Sequence, residues 1–348
     1  MRTHCLLPRV VLCLAGALLA FSSPSCSQVS KPPKPAAVGR PAWIDAFSGW
    51  ASPTTGQLFA RVHRGTPRPK PVPGRSKYVR LQETVKALDL DAIAGATVSV
   101  RGIPGITSAV ADGHGFLMLK LPAGLRPGIL DVTLNVTTGG WTSAPATLQV
   151  VVFDDSPGLG VISDIDDTLV DSGVTHKLEL LKNTLFHSTW ELKTFPLAAE
   201  TVAALAGKEA DGLPKVPLFY VSGSPWDLHS RISDFFDRAG FPHGAMILRR
   251  YSQEPVRDPE RFKYPHLKDI YDAFRHKRWI LLGDSGERDP EVYARMPRDR
   301  TAAEYIRLVP PAKEGGSRFA KAKAFRNWVE VKQDAAARHL DAASGGAS

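Results

Sequence analysis

Two hydrophobic periods divide this chain. From Trp43 to about Val152, apolar and polar residues alternate in short runs: LFARV, ATVSVRG, FLMLKLP, ILDVTLNV and TLQVVVF. Turn sequences such as ADGHG and TTGG separate them. A period of two with glycine punctuation predicts short strands in a small all-β sandwich. After Phe153 the pattern changes. LGVISDID, VPLFYVS, AMILRR and WILLGDS read as buried strands, with helices over 177–186, 196–208, 225–239 and 268–276. Strands alternating with helices predict a Rossmann-like α/β domain with a parallel sheet.

The chain ends differ from both patterns. Residues 1–27 carry Arg2 and Arg9 with no acid, then the apolar run VVLCLAGALLAF, then small polar residues. That is the order of a secretory signal peptide, and the run is short for a bilayer span. Two processing routes stay open: cleavage after Ser27, or lipidation of Cys26, which would anchor the protein to a membrane face. The expected organisation is signal peptide 1–27, proline-rich linker 28–41, β-sandwich 42–152, catalytic domain 153–330 and flexible tail 331–348. Within the last stretch of chain, Phe325 and Trp328 stand at helical spacing and read as docking on a core. The protein is expected to be exported, with no transmembrane helix once the leader is gone.

Composition narrows the chemistry. Cys5, Cys13 and Cys26 all fall in the leader, so the mature body has neither a disulfide nor a thiolate metal site. The formal charge is +9, and loss of the leader leaves (44 − 2) − 35 = +7. A basic surface suits an anionic partner. Residues 61–80 hold seven Arg or Lys and no acid, and read as a proline-stiffened loop in preference to a lipid-touching arm. The segment lacks a ladder of interleaved aromatics, so nucleic-acid binding finds no support.

In a parallel sheet the ligand sits beyond the carboxyl ends of the strands. Here two strands end in acids, VISDIDD and WILLGDSGERD, and a third ends in hydroxyls, VSGS. In an extended chain Asp164, Asp166 and Thr168 would share one face. Asp164 and Asp166, joined by Asp284 and Asp289, make a hard oxygen site suited to Mg²⁺. Asp164 is placed to attack phosphorus, and Asp166 to protonate the leaving alkoxide and then deprotonate water. Ser222 lies beside an apparent helix start, Ser224-Pro-Trp-Asp227, as a phosphate cradle. Lys268 supplies the remaining charge and is preferred to Lys263 on its spacing to Asp284. Asp167 reads as a turn cap, Asp171 as solvated or paired with Lys177, and Trp226 and Tyr251 as packing residues. Arg249 and Arg250 read equally as holders of a second anion or as a solvated strand end.

The ordered motifs GVISDIDDTLVDSGVT, FYVSGSPWDL, FKYPHLKDI and LLGDSGERDPEVY resemble the haloacid dehalogenase superfamily of phosphohydrolases. More narrowly, they resemble the catalytic domain of phosphatidate phosphatases of the actin-patch-protein type. The resemblance covers roughly 153–308 and implies Mg²⁺-dependent hydrolysis with Asp164 as nucleophile and Asp166 as acid–base. It further implies Thr168 as an orienting hydroxyl, Ser222 and Lys268 as phosphoryl holders, Asp284 as metal ligand and Asp289 as ligand or outer-shell acid. The implied partner is an anionic phosphate substrate, a phospholipid at a membrane surface foremost. Soluble phosphate monoesters, and a non-enzymatic envelope protein with a structural cation, are the alternatives.

Overall fold

The computed structural model describes residues 39–67, 91–171, 192–250, 254, 258–312 and 317–342. The signal peptide, Cys26, nearly all of the linker, the basic segment beyond Pro67, the helix expected over 177–186 and Tyr251 lie outside the described residues. All described residues fall in one compact unit.

The first part is all β: β1 (Arg40–Ala51), β2 (Gly56–Arg64), β3 (Thr97–Arg101), β4 (Ser108–Val110), β5 (Phe116–Leu121), β6 (Gly128–Val136), β7 (Trp141–Thr142) and β8 (Ala146–Val152). They form one path, β4-β3-β6-β8-β1-β2-β5, with β7 on β1. The path ends, β4 and β5, come back into contact. The sheet therefore folds round one core that includes Leu58, Val98, Leu117, Val132 and Val150. Twelve-residue β1 makes this possible. Its bulge between Ala46 and Ser48 lets it pair with β2 while its end pairs with β8, because a bulge bends the strand that carries it.

The second part holds a six-stranded sheet, every pairing parallel: β9 (Gly158–Ser163), β12 (Leu218–Pro225), β13 (Ala245–Arg249), β14 (Lys277–Asp284), β15 (Thr301–Arg307) and β16 (Lys323–Phe325). A small ribbon, β10 (Val170–Asp171) with β11 (Lys193–Thr194), stands apart from it. The sheet order is β13-β12-β9-β14-β15-β16. The sheet's first strand in chain order, β9, lies inside, with the next strands to one side and the last to the other. That reversal opens a crevice at the strand ends, where α/β folds place ligands. One face of the sheet packs on α1 (Ala198–Ala206), α2 (His229–Ala239) and α5 (Trp328–Ala337) through Val161, Leu282, Phe236 and Trp328. The other face packs on α3 (Pro259–Ala273) and α4 (Asp289–Tyr293) through Ile162, Leu281, Ile270 and Tyr293. With both faces covered, the inner strands carry unbroken apolar runs, Val161–Ile162 in β9, Leu218–Val221 in β12 and Trp279–Leu282 in β14, as a buried parallel sheet requires.

The two parts share their cores. Phe47 and Phe59 lie 4.9 and 5.0 Å from the Trp226 ring, and Trp50 meets Phe219 edge-on at 5.1 Å. Arg61 pairs with Asp227 at 2.5 Å, both ends largely buried. Arg61 therefore belongs to β2 and not to a solvated basic loop, and the β-sheet braces the segment just after VSGS. At the other end, the flexible tail expected from 331 is corrected for its described part. Residues 331–337 complete α5, which Asn327 and Glu330 close with a capping box, and Val331 and Ala335 are buried. No helix among the described residues is long and apolar enough to cross a membrane.

Candidate active site

Strand β9 stops at Ser163, one residue short of the acids. The Asp164 amide donates to the Leu282 carbonyl of β14 at 2.8 Å. The chain then tightens: Leu169 N–H bonds the Ile165 carbonyl at 2.9 Å, and Asp167 N–H bonds the Val170 carbonyl at 3.1 Å. Asp167 takes φ 55° inside this turn, and its carbonyl accepts from Arg307 Nε. The expected extended geometry is thus replaced by a turn. Thr168 Oγ1 still reaches Asp164 Oδ2, at 3.1 Å. Asp166 points elsewhere, its Oδ2 accepting from Ser222 Oγ at 2.8 Å and Ser224 Oγ at 2.7 Å. Ser224 is therefore no helix cap. Strand β12 runs to Pro225, and helix α2 begins only at His229.

The lysine of the site is Lys263, and the assignment to Lys268 is corrected. Lys263 is 1% exposed, and its Nζ lies 2.8 Å from Asp164 Oδ1, 2.5 Å from Asp289 Oδ1 and 3.0 Å from Glu287 Oε2. Lys268 is exposed and pairs with Asp272, one helical turn on. Helix α3 starts at Pro259 with Asp258 as its cap, so Lys263 occupies its second turn. Asp289 is anchored from the other side: its Oδ2 accepts the Asp284 amide at 3.1 Å. Gly283 permits that approach, because a Cβ there would stand 2.7 Å from Asp289 Cβ. Asp284 Oδ1 accepts the amides of Gly286 and Glu287 at 2.5 and 3.0 Å.

Asp164, Asp284 and Asp289 each offer an oxygen within 4.8 Å of the other two. Asp166, expected among the ligands, lies outside this group because the two serines hold its carboxylate. Counting Glu287, four acids face the single ammonium of Lys263, a formal −4 + 1 = −3. Burial pushes the Asp164, Asp284 and Asp289 carboxyls up, and the neighbouring acids push the same way against Lys263. Burial opposes the Lys263 charge, yet Asp164, Asp289 and Glu287 outweigh it and raise its pKa. Asp284 Oδ2 is buried with no hydrogen-bond partner among the described residues. Excess negative charge, hard oxygen donors and an orphaned carboxylate oxygen together fit a small divalent cation.

This yields a stability test. The Asp284 pKa is raised on folding, so wild type is relieved below the unfolded value and penalised as pH rises through the folded one. In chelator at neutral pH, Asp284→Asn should melt a few degrees higher, because it removes a charge that burial, Asp289 and Glu287 all oppose. The gap should close in acid, and Mg²⁺ should raise the melting temperature of wild type alone. A variant that melts lower than wild type in chelator at pH 8 contradicts the repulsion.

Sequence comparison agrees with the motifs. Residues 159–307 match the family model for the catalytic domain of phosphatidate phosphatase APP1. Phosphatidate phosphatase APP1 of Saccharomyces cerevisiae is 29% identical over 216 residues, covering 60% of this chain and 34% of that protein. An uncharacterized protein of Schizosaccharomyces pombe is 25% identical over 155 residues, covering 43% of this chain and 25% of its own length. The chain thus spans about a third or less of these relatives. A haloacid dehalogenase family hydrolase from Deinococcus radiodurans, solved with phosphate and sodium bound, aligns with TM-score 0.35 and 18% identity over 54% of this chain and 99% of its own. Over residues 159–307, this chain is similar to the catalytic domain of phosphatidate phosphatase APP1.

Proposed function

We propose that the protein is a Mg²⁺-dependent phosphatase that hydrolyses a phosphate monoester at a membrane surface, phosphatidate foremost, through an aspartyl-phosphate. The observation that carries this is the division of labour between two acids two residues apart. Asp164 is clamped by Lys263 and Thr168, while Asp166 is turned onto Ser222 and Ser224. Burial raises the Asp166 carboxyl, and its bonds from Ser224 and Ser222 oppose the rise. A raised carboxyl retains a proton to give away.

In the first half-reaction a carboxylate oxygen of Asp164 bonds to phosphorus while the ester oxygen leaves with the Asp166 proton. In the second, water attacks the acyl phosphate, Asp166 takes its proton, and phosphate departs with Asp164 regenerated. When bound among Asp164, Asp284 and Asp289, the cation supplies charge that offsets the acids and draws in phosphate oxygens. Lys263 holds Asp164 and Asp289 at fixed separation. The exported, membrane-proximal location rests on the leader sequence, and the lipid substrate on the motifs and the yeast relative.

The test is phosphate release by the purified full-length chain from micellar phosphatidate, nucleotides and sugar phosphates, with Mg²⁺ and with chelator. Mg²⁺-dependent release, fastest on phosphatidate, is the expected result. Release confined to soluble esters would move the substrate away from lipid, and no release from any ester would overturn the reading.

A further inference from the structure

A buried guanidinium borders the segment that carries Ser222 and Ser224. Arg249 ends β13 and is 4% exposed. Its place follows from register. Strands β12 and β13 run parallel with Val221 opposite Ile247 and then Pro225 opposite Arg249. Over that interval β12 advances four residues while β13 advances two, so Ser222-Gly223-Ser224 stand opposite Leu248 alone, a surplus of two. This bulge supplies both hydroxyls that hold Asp166. Alternate residues of a strand share a face, so Arg249 follows Ile247, which packs in the cluster containing Phe262 and Leu267 of α3. Accordingly, the guanidinium carbon lies 5.1 Å from the centre of the Phe262 ring. The guanidinium also borders the bulge: a Cβ on Gly223 would stand 3.4 Å from Arg249 Nη2. Phe262 is the chain neighbour of Lys263. Two cations are thus carried to the α3 side of the sheet, Lys263 at Asp164 and Arg249 at the bulge.

The Lys263 ammonium is shared among three carboxylates. A phosphate monoester brings up to two more negative charges to the same crevice. We propose that Arg249 binds the substrate's phosphate at the Ser222–Ser224 bulge, as a second cation of the site; this rests on the phosphatase reading above. The planar guanidinium presents paired donors matched to two phosphate oxygens, which an ammonium does not reproduce.

Two readouts separate this inference from that reading: phosphate release, and calorimetric binding of inorganic phosphate in the presence of Mg²⁺. In the full-length chain, Arg249→Met should raise both KM and the phosphate Kd roughly tenfold to a hundredfold, the range for loss of a bond to a charged group. Arg249→Lys should recover part of each. Unchanged phosphate binding in a folded Arg249→Met protein that still turns over would overturn the assignment and leave the phosphatase reading standing. Weakened phosphate binding without turnover in wild type would do the reverse. If Arg249→Met fails to fold, Arg249→Lys decides: wild-type phosphate affinity there rules out paired recognition by the guanidinium.

Discussion

Asp164→Asn should release phosphate at least about a thousandfold more slowly than wild type, the scale seen when a nucleophile is removed from an otherwise complete site. The prediction follows from where the side chain is held. Its two oxygens are spoken for by Lys263 Nζ at 2.8 Å and Thr168 Oγ1 at 3.1 Å, and its backbone is tied to β14 through the Leu282 carbonyl. The amide of an asparagine matches this shape while lacking the negative charge and lone-pair strength to attack phosphorus. Folding should survive, because burial already works against the Asp164 charge and the substitution removes that cost. Loss of rate with an intact melting curve therefore separates chemistry from structure. The pH profile adds a second handle. Asp166 must be protonated to deliver its proton, so the wild-type rate should fall as pH rises through its raised pKa. Asp166→Asn should lose that limb, and should be hurt most on alkyl esters, whose alkoxides leave poorly without a proton. Full-rate hydrolysis by Asp164→Asn would remove the covalent route altogether.

Much of this site could be read from the chain because its pieces sit at strand ends. Apolar runs followed abruptly by acids or hydroxyls mark where a parallel sheet meets solvent, and that picked out Asp164, Asp284, Asp289 and Ser222. What could not be read is which way a side chain turns once the strand has ended. Asp166 looked like a metal ligand by alternation, but alternation holds only while the chain is extended. Past Ser163 the backbone makes a turn instead. Ser224 looked like a helix cap because Pro225 follows it, yet its hydroxyl is 2.7 Å from Asp166. The β-part was legible as strands but not as a body joined to the rest. The joint is made by Phe47, Phe59 and Trp226, whose partners lie far apart in sequence.

The lysine shows where a better reading was available. Pro265 sits inside α3, and a proline there looks like a helix boundary. That places the helix start several residues late and puts Lys268 in its first turn. With the start at Pro259, Lys263 falls on the stripe of Leu267, Ile270, Tyr271 and Phe274. A cation on an apolar stripe is a signal in itself, since such a group is buried only beside compensating acids. Glu287 was missed for a related reason. Between Gly286 and Arg288 it reads as a solvated loop acid, and only the fold brings it 3.0 Å from Lys263.

Lys263→Met should destabilise the protein by about 3–5 kcal/mol in chelator, the cost of removing one partner from a buried ion pair. It should also reduce turnover to near background. The substitution keeps most of the aliphatic stem, so the loss is electrostatic and not one of packing. Without the ammonium, Asp164, Asp289 and Glu287 face one another with Asp284 close by, and every one of these pairings is repulsive. Two consequences distinguish this from a general lesion. Mg²⁺ should restore more stability to Lys263→Met than to wild type, because a cation among the same oxygens then carries the whole compensation. Adding Asp289→Asn should recover part of the loss, a coupling that independent sites would not show. Lys268→Met, by contrast, should leave both melting temperature and turnover unchanged, since that ammonium is exposed and its ion pair, among the described residues, is with Asp272 on its own helix. Chemical denaturation of the two lysine variants and of the double variant, run with and without Mg²⁺ beside a turnover assay, checks these expectations. Equal stability of the two variants in chelator would mean that the buried acids are neutralised by protons instead, and Lys263 would lose its place as the organiser of the site.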